Sequence, residues 1–178
     1  MSRKWQDEVT PLLRRLQLIV AAITIGCAVV LAIVLLIAKP PDADRQPLIT
    51  YVALAVAVLA IVSRIAFVGA IVTIGRRAIA RDLPTSTRDN LRDSGDLAPS
   101  ADLLYKLWGL CTMRIVGGAA VLEAAAFFLA VAYFLEGFWP APAAAALLII
   151  GLLLHTPTRS GLILWTETQL RLLDEERL

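Results

Sequence analysis

The chain has 178 residues, 58% of them hydrophobic and 18% charged, with a formal net charge of +2 and a mean hydropathy of +0.74. That balance leaves no room for a separate soluble domain beside its apolar segments. Two cysteines exclude a disulfide scaffold and a four-thiolate zinc site.

Four apolar stretches occupy residues 16–38, 48–74, 114–135 and 141–156. Crossing about 30 Å of hydrocarbon at 1.5 Å per residue takes about 20 apolar residues. The first three stretches meet that length. The fourth reaches it when Phe138 and Trp139 form its interfacial end. Isolated strands would leave unpaired backbone groups in lipid and could not close a barrel. The sequence therefore predicts an all-α integral membrane fold: a four-transmembrane-helix bundle with cytoplasmic helix extensions and a C-terminal amphipathic helix. The lipid bilayer is its first partner.

In chain order, Thr10 is a good N-cap, Pro11 suits the first helical position, and Leu12, Leu13 and Leu16 lead into the first span. That span is longer than a signal-peptide core of about 7–15 residues, and Ala38-Lys39-Pro40-Pro41 has no small-x-small cleavage pattern, so it reads as an uncleaved anchor. Lys39-Pro40-Pro41-Asp42 forms an outer turn and Pro47 opens the second helix. Asp82-Leu83-Pro84-Thr85 ends that helix, and residues 84–100 read as a solvated cytoplasmic loop. Ser100 can cap the third helix, Gly137-Phe138-Trp139-Pro140 forms a second outer turn, and His155-Thr156-Pro157 closes the fourth span. A last helix over 159–176 sets Leu162, Trp165, Leu172 and Leu173 near one face. Cys27 and Cys111 fall at different depths and read as buried apolar thiols.

Charge asymmetry predicts the orientation. Fourteen Lys and Arg residues lie before the first span, around the central loop, or in the tail, against two in the first outer turn and none in the second. Both termini and the loop are therefore expected in the cytoplasm, in a bacterial-type inner (plasma) membrane. Arg14, Arg15, Arg76, Arg77, Arg81, Arg114 and Arg159 mark that cytoplasmic interface, and Phe138 and Trp139 an outer aromatic belt. Trp5, Trp108 and Trp165 suit the cytoplasmic interface. The 178 residues read as one membrane domain. Offsets of 91 and 95 residues overlay parts of 11–83 on 102–177, for instance Leu12, Leu13 and Gly26 on Leu103, Leu104 and Gly117. Parallel duplication and chance matching of apolar sequence both account for these overlays.

Two charges lie inside apolar stretches, where insertion costs about 2.5–3.5 kcal/mol each. Glu123 has Ala119, Ala126 and Ala130 on its helical face, and Arg64 has Ala53, Ala57 and Ala60. Small-residue stripes let two backbones approach closely in lipid. The expected arrangement is an intramembrane pair of Arg64 and Glu123. Snorkelling of Arg64 to the headgroups is the alternative for that residue. The stretch Ile115-Val116-Gly117-Gly118-Ala119-Ala120-Val121-Leu122-Glu123-Ala124-Ala125-Ala126 resembles the carboxylate-bearing helix of rotary ATPase proteolipid subunits. That resemblance implies proton or sodium exchange at Glu123.

His155, the one histidine, could pair with Met113 as axial haem ligands, but beside Thr156 and Pro157 it reads as an interfacial or capping residue, so no haem or other cofactor is expected. No catalytic, cofactor-binding or metal motif stands out. Arg76, Arg77 and Arg81 lie beside Asp82, Asp89 and Asp93 without interleaved aromatics, which points to lipid headgroups rather than nucleic acid. The expected function is a non-enzymatic scaffold, assembly or regulatory subunit that binds a membrane-protein partner or itself. A proton- or ion-coupled transport subunit using Glu123 is the alternative.

Overall fold

The computed structural model describes residues 4–38, 46–82 and 101–175, with side chains from Val9 onward. Among these residues there are five helices and no strand: α1 (Lys4–Ile37), α2 (Leu48–Asp82), α3 (Ala101–Glu136), α4 (Pro140–Leu154) and α5 (Arg159–Glu175). The expected first outer turn around Lys39, the loop 84–100 and the Ser100 cap lie outside the described residues.

Most boundaries follow from local chemistry. α2 opens directly after Pro47 and is described to Asp82. α3 ends at Gly137, which takes the left-handed conformation (φ 66°) and donates its N–H to the Tyr133 carbonyl at 2.7 Å. Pro140 occupies the first turn of α4, where a missing N–H costs nothing. Thr158 caps α5, its hydroxyl accepting the Gly161 N–H at 3.2 Å.

The start of α1 differs from expectation. Thr10 is not an N-cap and Pro11 not a first-turn residue, because the helix begins at Lys4 and runs through Pro11. An interior proline removes one backbone hydrogen bond. Here the preceding turn is held by packing: Val9 is fully buried in a cluster with Leu13, Leu104, Cys111 and Leu162. Tertiary contact overrides the local signal.

α1, α2 and α3 are each long and apolar enough to cross a membrane. α4, with 15 residues, spans about 22 Å by helical rise and meets the test only when taken with α5 across the break between them. The structure thus carries three to four candidate spans. The fourth predicted span is shorter than expected because its helix starts at Pro140 and gives out at Leu154.

The chain packs as two units. One comprises residues 17–67 and 116–156. Its core combines many small side chains, among them Cys27, Ala53, Ala57, Ala60, Ala119, Ala126, Ala130, Ala141 and Ala145, with Leu31, Leu122, Leu129, Leu148 and Leu152. Many of its large apolar side chains also turn outward: Leu36 is 85% exposed, Ile65 73% and Leu147 69%. Large apolar side chains on the outside are expected where the solvent is lipid.

The other unit comprises residues 1–16, 68–115 and 157–178. Two clusters hold it together. Ile79, Leu103, Leu107, Leu110, Leu170 and Leu173 form one, and Val9, Leu13, Leu104, Cys111 and Leu162 the other. Trp165 packs against both. At Gly75 the helices α2 and α3 come so close that a Cβ would run into the Leu110 side chain.

Candidate functional site

All seven arginines expected at one interface fall in the second of these units, whereas Arg64, Glu123, Phe138 and Trp139 fall in the first. Arg64, Glu123 and Glu136 are the only charged side chains among the described residues of the small-residue-cored unit. Their placement decides what that unit can do.

Glu136 does work that the sequence reading did not assign. Its two carboxylate oxygens accept the backbone N–H groups of Ile49 (2.8 Å) and Thr50 (2.7 Å) at the start of α2. The first turn of α2 has no acidic residue, so the carboxylate at the end of α3 supplies the negative charge that its dipole and unpaired N–H groups call for. The available signal was a helix opened by proline without a side-chain cap.

The same contacts set the register between α2 and α3. Ile49 and Thr50 lie opposite Glu136, and a Cβ at Gly117 would lie 3.6 Å from the Phe67 ring. Arg64 is therefore level with about residue 120 of α3, within one turn of Glu123. Both alanine stripes are buried in one core cluster. The direction around the helix differs, however. At about 100° per residue, Glu123 lies about 120° around α3 from Gly117 and about 140° from Glu136, the two residues that meet α2. Glu123 and Arg64 share a depth, and each is half-buried, but Glu123 projects away from the side of α3 that faces α2.

Glu123 instead lines an open groove of about 490 Å³ with Ala120, Ala124, Phe127, Phe128 and Val131. These six residues lie along one face of α3, the face that also carries Gly117 beside Phe67 of α2. Glu123 stands at the edge between the packed alanine face and that groove.

The basic set divides in two. Arg14, Arg15, Arg77, Arg81 and Arg159 are exposed, whereas Arg76 and Arg114 are half-buried against α5. The Arg114 guanidinium lies 5.9 Å from the Trp165 ring centroid, within cation–π range, and Arg76 Nη1 donates weakly to Gln169 Oε1 at 3.5 Å. Trp165 and Gln169 are one turn apart, so α5 meets both cations on one face. Leu162, Leu170 and Leu173 are buried as well, whereas Leu172 is only half-buried.

In the unit with the alanine-rich core, Phe138 stacks edge-to-face on Tyr51 with centroids 6.3 Å apart, and the exposed Trp139 tilts against Tyr133 at 6.1 Å. The aromatic group is therefore four residues, two more than the sequence reading named. His155 Nδ1 lies 2.7 Å from the Gly151 carbonyl at the end of α4, a helix-capping contact, and Met113 is exposed. Among the described residues no group of three His, Cys, Asp or Glu is placed to hold a metal ion. In comparisons with known proteins, no family model, curated protein or solved structure matches the chain.

Proposed function

We propose that the chain is a small non-enzymatic membrane subunit, a scaffold for the assembly or regulation of a partner membrane protein. The observation that carries this reading is the second packed unit. The long helices do not end with the small-residue core. Their ends join α5 in a unit with its own two apolar clusters and an exposed set of arginines. In this reading that unit is cytoplasmic, both termini and residues 84–100 lie on the same side of the membrane, and Arg77 and Arg81 meet lipid headgroups and the partner's acidic surface. Four crossings result, with α4 completing the last, in an inner-membrane orientation.

The test is purification of the full chain from native membranes after crosslinking. A membrane protein should co-purify in stoichiometric amount, and R77E combined with R81E should reduce it at least several-fold without lowering the amount of chain in the membrane. Recovery of the chain alone, at full yield, would contradict the scaffold reading.

A second reading is favoured by the opening of Glu123 onto an outward groove flanked by small residues. It is proton exchange by a transport-type subunit. Dicyclohexylcarbodiimide should then modify Glu123 at a rate that falls as pH rises, because the reagent reacts with the protonated acid. Failure to label would exclude this reading.

A further inference from the structure

α4 is a short apolar helix among long ones. In the unit with the alanine-rich core, α1 turns large apolar side chains outward from Leu18 to Ile37, a row about 30 Å long by helical rise. α4 packs into the same core through Ala141, Ala145, Leu148 and Leu152, and its outward residues Leu147, Ile150, Leu153 and Leu154 are all exposed. Its 15 residues rise only about 22 Å. Two helices of one core thus offer a bilayer apolar lengths that differ by about 8 Å.

The start of α4 is held in place. Phe138 on Tyr51 and Trp139 on Tyr133 tie it to α2 and α3, so the shortfall falls at the Leu154 end. There the chain turns polar at once. His155 and Thr158 are exposed, and the carbonyl groups of Leu154, His155 and Thr156 accept no backbone hydrogen bond among the described residues. Three such carbonyls held in hydrocarbon cost several times what about 8 Å of leaflet compression does. The bilayer yields before the backbone does.

We propose that the chain thins the leaflet beside the end of α4 by about 8 Å, the cytoplasmic leaflet in the orientation above, and gathers phospholipids with short acyl chains on that surface. This rests on the reading of α4 as a crossing and names the lipid that surrounds it. Water and headgroups descend to His155, while around α1 the bilayer keeps its ordinary thickness.

The experiment uses the full-length chain with Cys27 and Cys111 replaced by alanine, carrying one bimane-labelled cysteine as I150C on α4 or I33C on α1. Ile150 and Ile33 are equally exposed, so the two labels sample lipid alike. Vesicles contain equal amounts of myristoleoyl and erucoyl phosphatidylcholine, one or the other brominated so that it quenches bimane on contact. At I150C the short-chain lipid should be enriched about threefold over the long-chain one, whereas at I33C the two should quench equally. A turn of leucines inserted after Leu154 adds about 5 Å and should remove most of the preference. Circular dichroism and unchanged quenching at I33C show that this variant keeps its fold. Equal quenching by the two lipids at I150C would overturn the proposal, as would the same short-chain preference at I33C. Quenching by neither lipid at I150C would take α4 off the lipid surface, and with it the crossing on which the proposal rests. Equal quenching beside successful co-purification would sink the thinning and leave the scaffold reading standing.

Discussion

Replacing Glu136 by alanine should lower stability by about 2 kcal/mol. Two N–H groups at the start of α2 lose their acceptors, and the helix dipole loses a charge in a partly buried setting. Unfolding in mixed detergent micelles, followed by circular dichroism, measures the loss. E136Q keeps one acceptor oxygen and should fall between wild type and E136A. E136D is one methylene short of the 2.7–2.8 Å contacts and should behave nearly as badly as alanine. An E136A midpoint equal to wild type would show that the clamp contributes nothing.

A53L should be more damaging still. Ala53 is fully buried where α2 packs into the alanine-rich core, and leucine adds three carbons with no space to take them. Overpacking of this kind costs about 3 kcal/mol. Ala55, two residues on, is exposed, so A55L gains only lipid contact and should be neutral. Membrane accumulation and melting temperature of the two variants should diverge sharply. If both were tolerated, α2 would not pack through its alanine face.

Much of the fold was legible because its signals are local or compositional. Pro47 and Gly137 act on their own backbone, and α2 begins and α3 ends directly beside them. The alanine stripes on α2 and α3 were legible because periodicity alone assigns a face, and both are buried. What failed was whatever depends on distant partners. Thr10 and Pro11 look like a helix start until Val9 finds Leu104 and Leu162 across the unit. Glu136 looked like the end of a span, since nothing in its neighbourhood announces that α2 begins beside it. The alanine stripes beside Arg64 and Glu123 can be read from the sequence, which is why the two were expected to pair. The direction in which α3 turns toward α2 cannot be read that way; in the structure Glu123 lines an open face of α3 with Ala120 and Ala124. Charge counting likewise treated seven arginines as one class. Only packing separates the five exposed ones from Arg76 and Arg114, which α5 covers with an amide and an indole face.

The orientation of the chain is the claim on which the proposed role rests, and accessibility of introduced cysteines tests it most directly. Cys27 and Cys111 are both buried and can be replaced by alanine to give a silent background. Single cysteines at Ser2, Ser94, Arg177 and Ala43 are then exposed to a membrane-impermeant maleimide in whole cells. The account predicts that only the Ala43 position reacts, and that the other three react once the membrane is permeabilised. Reaction at Ser94 in intact cells would contradict it, because the central loop and its arginines would then lie outside.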